Sequence, residues 1–411
     1  MVVGAGIVGL STAYYLAQAG LEVAVLERRG NVAEEASFGN SGLIGPGSIM
    51  PSATPEMAKA FMSSVFRSET GVILKPKMDR ALWRWLRLWL EECEIERYRA
   101  NAARLHRLAR YSQQLLLDIE EMHQPEFEQS EGAMRLFRTA QEFKDAQAVS
   151  EMLAAEGITA RVIEPDAVRA LEPGLSADTP LVGALYLPND MSGNCALFAR
   201  QLKQLTQALG VQFHFSSSVD ALEPNADGVG IRIGKQRFTV DAVVVAAGCG
   251  SSELLAPLGI HPPVESVKGY AATVPLKDFD AAPQGSVLDP TYQIAISRIG
   301  TRVRLAGVIE PGVYGNDLHK KAVRTLIKVG SDWFPGAANY NTAHFWAGLR
   351  PVTPNSAPLI GPTSVPHLYV NIGHGAAAWS LAAGSGKIVA DIIADNQPEI
   401  DLNGLVLQRH G

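Results

Sequence analysis

The 411-residue sequence predicts an α/β protein with two large sheets, one mostly parallel and assembled from separated stretches of chain, the other mostly antiparallel. Three observations predict it. The first thirty residues read strand, glycine-rich turn, helix, strand. Phe238–Gly250 and His367–Gly375 are apolar runs that close in small residues, the pattern of buried strands. Pro262–Phe345 carries alternating stretches such as Gln293–Arg298 and Arg302–Val308, with one helix around Lys320–Phe334.

The N-terminal unit carries the strongest motif. Met1-Val2-Val3 is a β-type run that stops at Gly4, and Gly4-Ala5-Gly6-Ile7-Val8-Gly9 is a G-x-G-x-x-G loop. Leu10–Ala19 is an Ala- and Leu-rich helix capped by Gly20, and Leu21–Leu26 is a second strand ending in Glu27. In this order Gly4 permits the sharp turn, Gly6 the approach of a pyrophosphate, and Gly9 close packing of helix on strand. The helix N-terminus offers unpaired N–H groups to phosphate oxygens. Glu27 suits the ribose hydroxyls and disfavours a 2′-phosphate. This is a Rossmann-like dinucleotide unit. Only three residues precede Gly4, against roughly five in an ordinary strand, so the first strand is expected to be short or cut.

Composition narrows the remaining classes. Hydrophobic residues make up 47% and charged residues 19%, which fits a globule and not a disordered chain. The 36 basic and 42 acidic residues give a net charge of −6 with no long basic run, so nucleic acid is not an expected partner. No apolar stretch reaches the roughly 20 residues that span a bilayer. Cys93, Cys195 and Cys249 lie far apart, which suits neither a disulfide framework nor a metal site and points to a reducing, cytoplasmic compartment.

The Gly/Ser/Asn-rich stretch Glu34–Gly47 and the second Gly-flanked strand end at Gly373–Gly375, followed by the helix Ala376–Ala394, favour FAD over NAD. Here the chain resembles FAD-dependent oxidoreductases of the D-amino-acid oxidase and glycine oxidase type, and most closely bacterial D-amino-acid dehydrogenases. The resemblance covers nearly the whole chain. It is carried by Gly4–Gly9, Ser37–Gly47, Glu131–Thr139, Leu187–Cys195, Val267-Lys268-Gly269-Tyr270, Gly348–Pro354 and Asn371–Trp379.

The resemblance implies a discontinuous FAD-binding domain (residues 1–55, 191–260 and 341–411) and a substrate domain (56–190 and 261–340). It implies FAD contacts from Gly4, Gly6, Ile7, Val8, Gly9, Glu27, Arg28, Asn40, Ser41, Gly42, Leu43, Val219, Ala247, Gly248, Gly348, Gly373, His374, Gly375 and Ala376. It implies oxidative deamination of a D-amino acid, with electrons passed to a quinone or another non-oxygen acceptor. Arg350 is the expected anchor for the substrate carboxylate, because its planar fork binds both oxygens. Tyr270 is expected to close the site, and His374 is a candidate base or a group that holds flavin or substrate. No metal is expected. Two other readings stay open: an enzyme acting on a cyclic or N-substituted amino acid of the D-hydroxyproline, sarcosine or glycine type, and a flavin-bearing subunit that needs a partner chain. The run Leu82–Leu90, with Trp83, Trp85 and Trp89 among Leu and Arg, reads either as core or as a peripheral contact with a partner subunit or the inner face of the cell membrane.

Overall fold

A computed structural model describes residues 1–55, 57, 71–73 and 80–407. Among these residues the chain forms one six-stranded, one three-stranded and one nine-stranded sheet. The six-stranded sheet runs Leu359–Pro362, Leu368–Ile372, Val243–Val245, Val2–Val3, Ala24–Leu26, Gln212–His214. Its pairings are parallel except the first. Val2 sits opposite both Val244 and Val25, so the short first strand is the centre of the sheet.

The helix Ile7–Gln18 follows that strand and packs on the C-terminal helix Ala378–Ile393. Contact is close because Gly386 has no side chain. A Cβ there would lie 2.7 Å from the Ser11 carbonyl carbon and 2.8 Å from the Thr12 nitrogen. The other side of the C-terminal helix meets the helix Ile95–His123, where a Cβ at Gly384 would lie 3.0 Å from the Ser112 Cβ. Asn371 donates to the Thr12 hydroxyl at 3.0 Å and ties the last parallel strand to the first helix. Gly375–Ile393 is apolar enough in composition to cross a bilayer, but two thirds of its most apolar window is buried against these neighbours.

The nine-stranded sheet is ordered His344–Val352, Glu265–Pro275, Arg302–Pro311, Ile294–Ile299, Ser286–Asp289, Ser130–Phe137, Gly183–Ser192, Leu43–Ile44, with Arg161–Ile163 also on Gly183–Ser192. All pairs are antiparallel except Ser286–Asp289 with Ser130–Phe137. His344–Val352 and Leu43–Ile44 therefore belong to this sheet, although the sequence ranges placed them with the nucleotide unit.

Side-chain alternation gives this sheet two distinct faces. Tyr270, Ala272, Ile294, Ile296, Val303 and Leu305 pack on one face against Leu326, Val329 and Trp333 of the helix Lys320–Trp333. The opposite face carries Ser297, Arg304, Trp346, Gly348 and Arg350 and meets the loop that leaves Glu27.

Beyond residue 73 the chain forms the helices Arg80–Glu91 and Ile95–His123; residues 58–70 and 74–79 lie outside the described part. The tryptophan run divides. Leu82, Trp85, Leu86 and Trp89, at helical spacing, form a buried stripe with Ala53 and Cys93. Trp85 donates to the Val352 carbonyl at 3.1 Å and Trp89 to the Ser52 hydroxyl at 3.3 Å. Trp85 and Trp89 are thus core residues, and the expected surface contact through them is corrected; Trp83 alone of the three is exposed.

Gly386→Ala forces a methyl into the backbone of the first helix. It should cost about 1–3 kcal/mol of stability, read as a lowered denaturant midpoint at unchanged slope. Gly384→Ala, which meets mainly side-chain atoms, should cost less.

Candidate active site

A groove runs along the C-terminal edge of the parallel sheet. Gly4, Gly6, Ile7, Val8, Glu27, Arg28, Val219, Ala247, Gly248, Gly373, His374 and Gly375 line it, all residues that the sequence singled out. Ser37, Ser217, Ser218, Glu253, Leu349, Pro351 and Asn371 line it as well and were not among the expected contacts. Ser37, Leu349, Pro351 and Asn371 fall within the stretches that carry the resemblance, Ser217 and Ser218 lie in a loop, and Glu253 is in the short helix Ser251–Leu255.

The groove has the features that a dinucleotide needs. The helix Ile7–Gln18 begins at Gly6, which has no side chain to cap it, and the Ile7 N–H donates to the Ser37 hydroxyl at 3.1 Å. A Cβ at Gly6 would touch only the Ser37 hydroxyl, at 3.5 Å, so its missing side chain leaves open space before the helix end. Gly9 acts differently. A Cβ there would run into the Gly4 carbonyl, so this glycine keeps helix and strand in contact. The Glu27 carboxylate accepts from Ala5 N–H at 2.7 Å and from Arg29 N–H at 2.8 Å. Its orientation is therefore fixed, with its remaining lone pairs available to ribose hydroxyls. Arg28 and Arg29 both pair with Glu35 at 2.7 Å, which closes the outer rim.

The segment Phe38–Leu43 does not line the groove. It lies on the nine-stranded sheet. Asn40, buried, accepts from Gly42 N–H at 2.8 Å, and Leu43 pairs with Ser192. The Ser297 hydroxyl donates to the Ser41 carbonyl at 3.1 Å. Gly348 and Ala376 are likewise outside the groove lining, next to residues within it.

Arg350 is 8% exposed. Its guanidinium lies over Gly269, where a Cβ would come within 2.8 Å of Cζ. It donates to the Gly39 carbonyl at 3.2 Å and meets no carboxylate among the described residues. Burial pulls its pKa down to about 10, so it stays charged at neutral pH. Arg304, which the sequence analysis did not single out, reaches the same loop. Strand alternation from Arg302 was the signal that could have found it. Arg302 itself pairs with Glu128 at 2.8 Å, and Arg298 stacks on Phe279 on the other side of the sheet.

Two expected chemical roles change. Tyr270 is fully buried on the sheet face opposite Arg350, and its hydroxyl donates to Glu310. It does not close the site, because Val267, not Tyr270, shares a face with Arg350 in the strand register. His374 does line the groove, but its Nε2 is 2.9 Å from the Ser385 hydroxyl, and burial pushes its pKa down to about 3. The neutral ring is a poor proton acceptor for an ammonium group and fits a holding role.

Behind the loop lies a buried polar cluster. Asp190 accepts from Gly47 N–H at 3.1 Å and from Ser48 N–H and hydroxyl at 2.6 and 2.7 Å. Burial nonetheless raises its pKa to about 6. His106 lies 3.0 Å from the Ile49 carbonyl through Nε2, and burial lowers its pKa to about 4.

Glu27→Ala should lower retained FAD after gel filtration of dilute protein, and Gly6→Val should abolish it; full occupancy in both contradicts the groove assignment. A second expectation concerns pH. Between about 4 and 6 the folded state binds the Asp190 proton that the unfolded chain releases, so this group lowers stability as pH rises. His106 does the reverse, because the unfolded chain takes its proton first as pH falls from 6.5 towards about 4. His106→Gln removes the opposing slope, so its denaturation midpoint should fall from pH 4 to pH 6 more steeply than that of the parent protein.

Comparison with known proteins gives a consistent result. Residues 1–392 match the DAO family model, described as FAD dependent oxidoreductase. The chain is 40% identical over 414 residues to a D-amino acid dehydrogenase of Rhizobium johnstonii, covering 100% of this chain and 99% of that protein. It is 39% identical over 412 residues to a D-amino acid dehydrogenase of Allorhizobium ampelinum, covering 100% and 98%. Among solved structures, glycine oxidase from Geobacillus kaustophilus superposes with a TM-score of 0.77 at 21% identity, covering 100% of this chain and 98% of that one. Fold, groove and comparison agree: the chain belongs to the DAO family of FAD-dependent oxidoreductases.

Proposed function

We propose that this enzyme deaminates D-amino acids oxidatively to 2-oxo acids and ammonia, with electrons leaving to a non-oxygen acceptor such as a quinone. The observation that carries the reading is Arg350: a buried, charged guanidinium with a carbonyl but, among the described residues, no carboxylate beside it. Such a group is poised to take an anion. The names of the relatives at 40% and 39% identity support the substrate class and the dehydrogenase reading.

When bound, FAD supplies the hydride acceptor for the substrate α-carbon. The protein's own residues bind and orient. Glu27 and the helix N-terminus at Gly6 hold the dinucleotide end. His374, neutral and tied to Ser385, packs the other end of the groove without adding charge. Arg350 grips the carboxylate, which leaves the amine and α-hydrogen as the mobile end of the substrate. Water completes hydrolysis of the released imine.

Arg350→Ala should raise KM for amino acids by roughly 10- to 100-fold, the loss of a charge-assisted contact, while bound FAD remains. An unchanged KM in anaerobic dye reduction removes Arg350 from this role. Anaerobic bleaching of the bound flavin across D- and L-amino acids tests the substrate class. Yellow protein that no amino acid bleaches would favour a subunit needing a partner, and oxygen consumption at the dye-reduction rate would make it an oxidase.

A further inference from the structure

Arg304 has no part in the reading above, yet it is bound to the same loop as Arg350. Its Nη1 donates to the Phe38 carbonyl at 3.0 Å and to the Asn40 carbonyl at 3.2 Å. Arg350 Nη2 donates to the carbonyl between them, that of Gly39, at 3.2 Å. With Ser297 on Ser41, four successive carbonyls point at one face of the nine-stranded sheet. The Trp346 ring sits against Gly39 so closely that any side chain there would overlap it. The Glu128 carboxylate is taken by Arg302 through both oxygens, at 3.0 and 2.8 Å. Among the described residues Arg304 has no carboxylate partner: it bonds to carbonyls, feels the charges of Arg302 and Arg350 and lies near the neutral Cys195 thiol, and its Nε is buried without a partner.

A guanidinium is a planar fork, so an acceptor fixed on one edge sets the plane of the whole group. Gly39 is that acceptor for Arg350. Its carbonyl is held in place from both sides, because Arg304 spans the carbonyls before and after it. We propose that Arg304 is a positioning residue for amino-acid binding: by clamping Phe38 and Asn40 it fixes the Gly39 carbonyl, and through it the plane in which Arg350 meets a carboxylate. This rests on the reading of Arg350 as the carboxylate anchor.

The test uses the FAD-loaded enzyme and propionate, a carboxylate with no amine to oxidise, with binding followed by calorimetry and by the change in flavin absorbance. Arg304→Gln should weaken propionate binding by about tenfold or more and raise KM for D-alanine in parallel, with kcat altered less than about threefold. Arg304→Lys keeps the charge but reaches one carbonyl instead of two, so it should recover only part of the loss. If Arg304→Gln fails to retain FAD, Arg304→Lys becomes the measure and should still bind propionate several-fold more weakly than the parent. Propionate affinity within about twofold of the parent in the FAD-retaining variant overturns the positioning role. Arg350→Ala separates the two claims: if it too leaves propionate binding unchanged, the anchor reading itself fails, whereas loss in Arg350→Ala alone removes only Arg304.

Discussion

One buried guanidinium, that of Arg350, and one half-buried guanidinium, that of Arg304, with no carboxylate paired to either among the described residues, are the constraint around which the site is built. Moving a cation of this size out of water costs several kcal/mol even after relaxation. Arg304 and Arg350 both feel it, since burial pulls each down to about 10. Backbone carbonyls offset part of that cost through their dipoles, and the chain turns three of them, Phe38 to Asn40, towards the two side chains. Dipoles solvate charge but do not cancel it. The sheet face therefore keeps a net positive charge beneath the protein surface, and an arriving anion gains what the fold leaves uncompensated.

The architecture that permits this is a sheet whose two faces differ in what they bury. One face is apolar and closed by the helix Lys320–Trp333. The other supports large polar side chains pressed between sheet and loop, and glycines make the space. Gly269 lies under the Arg350 guanidinium, and Gly39 and Gly348 flank the Trp346 ring. Dense packing then converts small steric vacancies into fixed orientations for long, otherwise mobile side chains. The dinucleotide groove is built by separate means, from backbone amides and the Glu27 carboxylate, so cofactor binding and carboxylate binding rest on different elements.

That division also explains how much was legible in the sequence. The Gly4–Gly9 turn and Glu27 belong to a local unit in which spacing along the chain dictates position in space, and they meet in the groove. The strand His367–Gly375 and the small residues after Val245 were readable for the same reason. Tyr270 was misplaced because a residue's face depends on register. The strand Glu265–Pro275 has a bulge between Gly269 and Tyr270 against its neighbour, and periodicity alone cannot say which way each side chain points. Arg304 was missed because its partners, Phe38 and Asn40, lie more than 260 residues away and are contacted through carbonyls, which every residue has. Trp85 and Trp89 carried a readable signal in their helical spacing with Leu82 and Leu86, and that spacing won over their amphipathic look.

The charge on this face bears on how the substrate amine loses its proton. A hydride can leave the α-carbon only when the nitrogen lone pair is free, so an ammonium group must first be neutralised. The groove end near His374 offers Leu349, Pro351, Ile372 and Gly375, with no carboxylate. His374 itself titrates near 3. A dedicated base is therefore lacking among these described residues, but none is required. Like charges destabilise one another in a medium of low dielectric, and two guanidiniums beside the bound carboxylate disfavour a third cation on the same small molecule. On the proposed reading Arg350 holds the carboxylate, Arg304 sets the plane of Arg350, and their charges together lower the pKa of the amine attached to that carboxylate. The same buried charge that costs the fold stability thus prepares the substrate in its reactive form.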